Sequence, residues 1–283
     1  MSQNSPPEAN FIEKWLYSQP VIERGVVGSI DPAALDHLLS RGWRNFGTDF
    51  FRTSHSIHES HLCGVMALRL DARQFAPTQS QRRVLAKNTS VEIRIVPALH
   101  CTDYDALFFK HRERFRDCLP QSLRSFLSEN PASVPGETIA LEARIDNHLA
   151  AVSFLALGAQ STSAIYAMFD PEFSSRSLGI LTMLQEIAFT SSTGRRWYYL
   201  GYAYTTPSPY DYKLRFPGLE VFDWESAWHQ LTGPIQWSIP VLQAEPELNQ
   251  SMTASAVDAP DCQTDSTRDS QTESPATKHP AGN

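Results

Sequence analysis

The spacing of apolar residues predicts a helix that begins near position 31. Asp31 suits the N-cap and Pro32 the first helical position, and leucines at positions 35, 38 and 39 fall on one face. Gly42 can end this helix in a left-handed conformation. Looser alternation then predicts a strand or hairpin over 43–52, a short strand over 66–70, a basic helix over 80–87 and a half-buried strand over 91–95.

The second half of the chain predicts a sheet meander followed by a helix and further strands. Before it, Thr102 or Asp103 is expected to cap a helix whose apolar face includes Phe115, and a second helix is expected over 119–127. Strands are predicted over 139–145, 149–157 and 163–169, with a turn at Asp146 and Asn147. A helix over 178–190 that closes at Gly194 and strands over 197–201 and 219–224 complete an α+β fold.

The two ends of the chain differ from this pattern. Residues 243–283 are rich in Ser, Thr, Asp, Glu and Pro and contain no aromatic residue, so little apolar area offsets the entropy of ordering. We predict a disordered N-terminus over 1–10, one lobe over 11–130, a second lobe over 131–242 and a disordered acidic tail over 243–283. The polar segment 130–136 is the candidate connection between the lobes.

Composition and charge leave most classes of binding partner open. Of 283 residues, 41% are hydrophobic, and no apolar run is long enough to cross a membrane. The first residues lack a basic or apolar leader, so we expect a cytoplasmic protein. The four cysteines form no C-x-x-C pair and are expected to be reduced. The tail carries most of the net charge of −7, so the remaining chain can still present a basic face to a nucleic acid.

Segment 79–88 is a candidate for contact with phosphates. Arg83 and Lys87 lie four residues apart, so one helical face presents two cations, and Arg82 adds a third charge. A solvated helix face explains the same pattern and is the commoner reading of a charge run.

Segment 169–179 reads as the end of a strand, a turn and a helix start rich in small residues. Free backbone N–H groups there can hold a phosphate or carboxylate, with Arg176 adding charge. Acetyltransferases that bind acyl coenzyme A use such a loop with more glycine, whereas only Gly179 stands here. An ordinary capped helix is an equal alternative.

Three histidines, His55, His58 and His61, precede Cys63, and side chains of these types could bind a metal. The Ser, Glu and Gly residues around these positions favour a solvated loop instead. A serine hydrolase is not indicated, because no G-x-S-x-G elbow occurs.

From about residue 35 to 224 the chain resembles the aminoacyl-tRNA–protein transferases, the arginyltransferases of eukaryotes and the leucyltransferases of bacteria. The resemblance is carried, in the family's order, by LSRGWR at 39–44, LRLD at 68–71 leading to FAPTQSQRRVL at 75–85, DPEFSSRSLG at 170–179, YYLGY at 198–202 and YKLRF at 212–216. It implies two lobes, the second folded like an acetyltransferase of the GNAT type. It also implies transfer of arginine or leucine from tRNA to the N-terminus of acceptor proteins that begin with Asp or Glu, which marks them for degradation.

The resemblance also implies roles for residues. Arg82, Arg83 and Lys87 would contact tRNA phosphates. The transfer site would be lined by two groups, the loop residues Asp170, Arg176, Ser177, Leu178 and Gly179, and Tyr199 and Tyr202 on the following strand. Tyr199, Tyr202 and Lys213 would be the catalytic residues, although Tyr202 and Lys213 are alternatively structural. Lys213 or Arg215 would pair with the acidic first residue of the acceptor.

The chain departs from the family at its cysteines. The family has several cysteines near the amino terminus and after the Gly-Trp-Arg block, associated with metal or iron–sulfur binding, whereas this chain has only Cys63 there. We therefore expect no metal or cofactor. The donor is arginine or leucine, with overall length leaning toward leucine. The alternatives are an acyl coenzyme A N-acetyltransferase and an inactive relative that binds tRNA or degrons, and oligomeric state stays open.

Overall fold

The computed structural model describes residues 18–58, 61–115 and 120–231 and the backbone of 242–243. Its helices are α1 Pro32–Ser40, α2 Gln79–Lys87, α3 Thr102–Arg112 and α4 Leu178–Ser192. Short 3-10 turns span Leu123–Ser125, Pro171–Arg176 and Asp211–Arg215. The strands are β1 Ile22–Val26, β2 Arg44–Phe46, β3 Asp49–Thr53, β4 His55–His58, β5 His61–Asp71, β6 Glu92–Pro97, β7 Thr138–Ile145, β8 His148–Leu157, β9 Ser161–Phe169, β10 Trp197–Tyr204, β11 Leu219–Phe222, β12 Trp228–Gln230 and β13 Leu242–Gln243.

One mixed sheet dominates the molecule. Its order is β12-β11-β5-β10-β9-β8-β7-β6, with β4 and β13 also paired to β5, and a smaller sheet has the order β1-β3-β2. Among the strands that the structure describes, only β9 and β10 pair in parallel, and α4 provides the crossover connection that a parallel pair requires. The predicted α+β class with a mixed sheet is therefore confirmed.

The main sheet is covered on both faces. Phe154 and Ala156 of β8 pack in one cluster with Leu107 of α3 and with α1. Leu155 and Leu157, the alternate residues of the same strand, pack in another cluster with residues of α4. The sheet is thus a buried layer between α4 on one side and α1 with α3 on the other.

Local sequence signals explain the confirmed elements. Asp31 caps α1 by accepting the backbone N–H groups of Ala33 and Ala34, both at 3.0 Å, and Gly42 follows the helix with a φ of +82°. Asp146 and Asn147 both have positive φ and join β7 to β8 in the turn that suits the twist of a hairpin.

Three expectations for the first half were wrong. The histidine-rich stretch is not a loop, because β4 and β5 form a hairpin in which His55 faces Gly64 and Ser56 faces Cys63. The helix expected over 119–127 is one 3-10 turn among its described residues. No side chain caps α3, whose N-cap is Cys101, and Phe115 lies beyond the helix end and is 44% exposed.

The main sheet takes strands from both sides of residue 130. β5 lies between β10 and β11, and β6 pairs with β7. The two predicted lobes therefore share one hydrogen-bonded sheet. The disorder expected over 1–10 and over 244–283 lies outside the described residues, while Gln243 ends β13.

None of the helices formed by the described residues has the length and apolarity to span a bilayer.

Candidate active site

Strands β9 and β10 separate after a short pairing. Only three residue pairs join them, Trp197 with Ser161, Tyr198 with Thr162 and Tyr199 with Ser163. The strands therefore part toward their carboxyl ends, where the turns over 171–176 and 211–215 follow. A crevice beyond the carboxyl ends of parallel strands is a common ligand site.

Arg44 of β2 lies at this separation. Its Nη2 reaches the carbonyl oxygen of Ile165 on β9 at 3.5 Å, and its guanidinium lies 5.1 Å from the ring centroid of Tyr202 on β10. The side chain is buried. A buried guanidinium thus spans the space that the two strands leave.

Gly201 makes room for this guanidinium. The register of β10 against β5 shifts here, since Tyr199 pairs with Arg69 and Gly201 pairs with Leu68. Gly201 has a φ of +85°, and a Cβ added to it would lie 2.8 Å from Cζ of Arg44. Both backbone conformation and space therefore require glycine.

The loop after β9 is organised by Asp170. This buried carboxylate accepts the N–H of Glu172 at 3.0 Å through Oδ1, and Lys110 and His148 approach Oδ2 at 2.7 and 3.1 Å. Burial alone would raise the pKa of Asp170, but these hydrogen bonds outweigh it and hold the pKa below its ordinary value. Asp170 is thus an ionised anchor of the loop.

Helix α2 is bound to the same loop. Nζ of Lys87 donates to the carbonyl oxygen of Ser175 at 2.6 Å, and Nδ2 of Asn88 donates to that of Arg176 at 2.9 Å. Ser177 adopts a left-handed conformation, with a φ of 56°, and α4 begins immediately after it. The structure therefore brings Lys87 together with the predicted loop residues Arg176, Ser177, Leu178 and Gly179.

Cations flank the loop on two sides. Arg82 and Arg83 are exposed on α2, although Arg82 also donates to the carbonyl oxygen of Pro77 at 2.6 Å. On the other side Lys110 is close to half exposed, and the guanidinium of Arg114 lies 4.2 Å from the ring centroid of Phe169. We call the set the cationic face, which consists of Arg82, Arg83, Lys87, Lys110, Arg114 and Arg176.

The three predicted catalytic residues have buried side chains. The hydroxyl of Tyr202 donates to the carbonyl oxygen of Gly42 at 2.7 Å, and Nζ of Lys213 donates to the carbonyl oxygen of Tyr202, also at 2.7 Å. These bonds favour the structural alternative for both residues. The ring of Tyr199 packs on that of Trp228. Tyr199 belongs to the hydrophobic cluster that includes α3, whereas Tyr202 belongs to the cluster that includes α4. Burial raises the pKa of Tyr199. Arg215 is exposed at the end of the turn over 211–215.

Helix α4 carries a polar stripe toward the sheet. Thr182, Glu186 and Thr190 lie four residues apart and are at most 2% exposed. The threonine hydroxyls donate to carbonyl oxygens of their own helix, and the hydroxyls of Thr190 and Thr162 lie 2.6 Å apart. Buried polar residues on the sheet-facing side of a helix depart from the apolar pattern expected there, and such departures are expected at functional sites.

Glu186 is the acidic member of this stripe. Its carboxylate accepts a hydrogen bond from the hydroxyl of Tyr198, and burial raises its pKa to about 7, against the lowering effect of that bond. Tyr212, about one third exposed, interacts with Glu186, and burial together with this carboxylate raises the pKa of Tyr212 to about 12. Glu186 and Tyr198 thus form a buried titratable pair beside the separation of β9 and β10.

The structure describes the side chains of two of the four candidate metal ligands, His55 and Cys63, and both have partners within the protein. Nδ1 of buried His55 lies 2.7 Å from the Ser54 hydroxyl, and Sγ of Cys63 donates to the carbonyl oxygen of Ser56 at 3.4 Å. Within the described ranges no three His, Cys, Asp or Glu side chains form a metal-binding group. The expectation of no metal or cofactor stays a prediction.

Sequence reasoning found part of this site. It selected α2 and the loop over 170–179, which the structure joins. It missed Lys110 and Arg114, although three cations alternate at the end of α3, and it gave Arg44 no role within the LSRGWR block. Glu186 carries no sequence signal, since an acidic residue at helical spacing is ordinarily solvated.

Comparisons with known proteins agree on one family. The family described as "Arginine-tRNA-protein transferase, C terminus" matches residues 103–223. An aspartate/glutamate leucyltransferase of Stenotrophomonas maltophilia (strain K279a) is 32% identical over 215 residues, which cover 72% of this chain and 80% of that protein. Another from Marinobacter nauticus is 30% identical over 208 residues, covering 72% and 84%.

Solved structures are similar to the chain at a lower level. FemX covers 71% of this chain and 68% of its own, with 10% identity and a TM-score of 0.40. A GCN5-related glucosamine N-acetyltransferase region within a fungal multi-domain β-N-acetylglucosaminidase covers 70% of this chain and 23% of that one, with 13% identity and a TM-score of 0.38.

Proposed function

Because the chain belongs to the aminoacyl-tRNA–protein transferase family, we propose that it transfers leucine from leucyl-tRNA to the amino terminus of proteins that begin with Asp or Glu. Membership makes the chain an aminoacyltransferase that takes its donor from tRNA. The names of the relatives, aspartate/glutamate leucyltransferases, support the choice of donor and acceptor.

The buried carboxylates also support leucine over arginine. An arginyl donor requires a carboxylate that is available to its guanidinium, because a buried charge must be paired. The buried acids of the described chain are Glu142, Asp170 and Glu186, and each already accepts hydrogen bonds within the protein. This engagement of the buried acids is the structural observation that carries the choice of leucine.

The cationic face is the proposed surface for the tRNA acceptor end. Lys87 and Lys110 contact the loop over 170–177, Arg114 packs on Phe169 at its start, and Arg176 belongs to it. Arg82 and Arg83 extend the positive charge along α2, so a bound phosphate chain would bring its aminoacyl end toward the separation of β9 and β10. Glu172 and Glu113 lie near Lys110 and offset part of this charge. Binding should therefore weaken steeply as salt is raised.

Arg215 is the proposed partner of the acidic acceptor residue. It is exposed on the turn that follows β10, whereas Lys213 of the same turn is buried and donates to Tyr202. An Arg–carboxylate pair selects Asp or Glu by charge and by two parallel hydrogen bonds. We place the reaction in the cytoplasm, where aminoacyl-tRNA is made, and leucine at the new terminus would mark the acceptor for degradation.

The aminoacyl transfer reaction requires little covalent chemistry from the protein. An aminoacyl ester is already activated, so the enzyme must align the acceptor amine, keep it neutral and stabilise the oxyanion. We assign part of that stabilisation to the Arg44 guanidinium, a fixed positive charge buried at the strand separation.

The test is a donor comparison with purified protein. Radiolabelled leucyl-tRNA, arginyl-tRNA and acetyl coenzyme A are each incubated with a peptide that begins with Asp and with its N-acetylated control, and label in the peptide is followed. We expect label from leucyl-tRNA into the free peptide alone. Arginine incorporation would overturn the donor, acetyl incorporation would support an N-acetyltransferase, and tRNA binding without transfer would support a binding protein.

A matched pair of variants tests the cationic face. Arg83→Ala should raise the KM for leucyl-tRNA and reduce the slope of log affinity against log salt by about one. Arg94→Ala is the control, because Arg94 is exposed on the edge strand β6 and pairs with Glu92. Equal effects of the two changes would contradict the proposed tRNA surface.

A further inference from the structure

The end of α3 exposes aromatic rings among cations. Phe109 and Phe115 are 51% and 44% exposed. Together with Arg112 they recur every third residue, a spacing that forms a ridge along a helix and the turn that follows it. The guanidinium of Arg112 lies 5.7 Å from the ring centroid of Phe109, and that of Arg114 lies 5.7 Å from the ring centroid of Phe115. We call Phe109, Arg112 and Phe115 the aromatic ridge.

The backbone below the aromatic ridge is anchored to the end of β9. Nδ1 of buried His111 lies 3.1 Å from both the amide nitrogen and the carbonyl oxygen of Phe169. The ring centroid of His111 lies 5.1 Å from that of Phe169 and 5.5 Å from that of Phe115. Nη1 of Arg112 donates to the carbonyl oxygen of Pro120 at 3.2 Å. A ligand would therefore meet a platform that the fold already holds in place.

The aromatic ridge adjoins the cationic face. Nζ of Lys110 donates to Oδ2 of Asp170 at 2.7 Å, while the Lys110 side chain remains 46% exposed. The guanidinium of Arg114 lies 4.2 Å from the ring centroid of Phe169. Segment 110–114 contains three cations and one acid, Glu113. Exposed rings interleaved with an excess of positive charge are typical of surfaces that bind unpaired nucleotides.

We propose that the aromatic ridge binds the unpaired nucleotides at the 3′ end of the donor tRNA. Their bases stack on Phe109 and Phe115, and the phosphates between them contact Lys110 and Arg114. The inference rests on the proposed function, since it names the part of the tRNA that this side of the cationic face receives. Every base has a π-face, so stacking holds the 3′ end without reading its sequence.

The chemistry of the aromatic ridge favours this occupant over three others. Paired bases stack on one another and present only their edges in the grooves, so a duplex offers no face to a phenylalanine ring. An acidic acceptor protein would be attracted by the cations but has no part that requires the rings. A second copy of this chain would bring like charges together, which costs affinity.

The test begins with the affinity of purified protein for uncharged leucine tRNA and the KM for leucyl-tRNA. Phe109→Ala and Phe115→Ala should each weaken tRNA binding about 10-fold and raise this KM by a similar factor, with the KM for the peptide unchanged. Phe109→Trp should bind tRNA at least as well as wild type, because it keeps an aromatic face. Phe109→Leu keeps apolar area without a π-face and should bind as weakly as Phe109→Ala.

Two further readouts separate base stacking from charge. Leucine tRNA that lacks its unpaired 3′ nucleotides should bind wild type and Phe109→Ala equally, because the bases that stack are gone. The slope of log affinity against log salt should be the same in Phe109→Ala as in wild type, whereas Arg83→Ala reduces it by about one.

Ile95→Ala is the matched control for loss of an exposed apolar side chain. Ile95 is 47% exposed on the edge strand β6, and its replacement should leave tRNA affinity unchanged. Circular dichroism checks that each variant is folded. If Phe109→Ala does not fold, Phe109→Leu and Phe115→Ala give the same measurement.

The outcomes separate the two proposals. Folded variants that bind intact tRNA as wild type does overturn the stacking role, while leucyl transfer by wild type sustains the proposed function. Equal losses with intact and truncated tRNA, a rise confined to the KM for the peptide, or a changed oligomeric state would assign the aromatic ridge to another occupant and overturn the inference.

Wild type that transfers from none of the donors overturns the proposed function, and the binding measurements still decide the stacking role. Wild type that binds no tRNA overturns both.

Discussion

Gly201 has a positive φ that only glycine adopts readily, and Arg44 leaves no space for a Cβ there, so replacing it tests the site at the residue scale. Gly201→Ala must hold alanine at a φ of +85° and place Cβ against Arg44. We expect a loss of about 2–4 kcal/mol in the free energy of unfolding, from left-handed strain and overpacking together. Denaturant unfolding measures this loss, and kcat should fall as Arg44 is displaced.

Gly194 supplies the control for backbone strain. It has a φ of +77° and nothing within 4 Å of an added Cβ. Gly194→Ala should cost only about 1 kcal/mol and leave kcat unchanged. Equal costs at the two positions would show that the contact with Arg44 adds nothing.

His111 gives a pH dependence that belongs to one residue. Burial lowers its pKa to about 4, and its Nδ1 lies 3.1 Å from both the amide nitrogen and the carbonyl oxygen of Phe169. The unfolded chain therefore binds a proton that the folded chain does not between pH 6.5 and 4. Folding stability should be full above pH 6.5 and fall by up to about 3 kcal/mol as pH drops through this window.

Comparison of wild type with His111→Asn separates the contribution of His111 to stability from that of Glu186. The raised pKa of Glu186 has the opposite effect, because it makes the free energy of unfolding increase as pH falls. The free energy of unfolding is measured at several pH values from 4 to 8. Asparagine keeps a polar atom near Phe169 but does not titrate, so the variant should lose less stability on acidification. Parallel curves would contradict this account.

At the scale of elements, the attachment of α2 to the loop is the feature to test. Asn88 is buried, and its Nδ2 donates to the carbonyl oxygens of Val84 and Arg176. Asn88→Ala should cost about 2 kcal/mol and raise the KM for leucyl-tRNA, because the loop loses its tie to the helix. Steady-state kinetics should show no change in the KM for the acceptor peptide.

The other end of α2 provides the matched control. Thr78 and Gln81 form a capping box, with Thr78 N–H donating to Oε1 of Gln81 at 2.8 Å. Thr78→Ala should cost about 1 kcal/mol and leave the KM for tRNA near that of wild type. A shared rise in KM would mean that helix stability, and not the tie to the loop, governs tRNA binding.

Sequence predicted the elements whose signals are local. A few neighbouring residues encode each of three such features, and the structure confirms them: the cap at Asp31, the turn at Asp146 and Asn147, and the basic helix α2. The hairpin of β4 and β5 was missed because its residues are strands by pairing and not by propensity. Glu186 and Arg44 were missed because burial of a charge depends on elements distant in sequence.

At the scale of the whole molecule, the sheet joins segments that the sequence had assigned to two lobes. β10 pairs with β5 over seven residues, and β7 pairs with β6, so a fragment over 131–242 lacks a neighbour on each of these strands. We expect that fragment to show no cooperative unfolding transition by circular dichroism, whereas residues 1–242 together should show one. A cooperative transition in the short fragment would establish an independent lobe.

The central place of β5 also has a consequence during synthesis. Val65, Met66, Leu68 and Leu70 of this strand leave the ribosome early, yet their partner β10 begins with Trp197, roughly 130 residues later. At about 5–20 residues per second the nascent strand waits about 6–26 s before β10 can pair with it. The chain should therefore depend on chaperones that shield nascent segments, and its yield should fall more than that of a protein with local pairings when they are depleted.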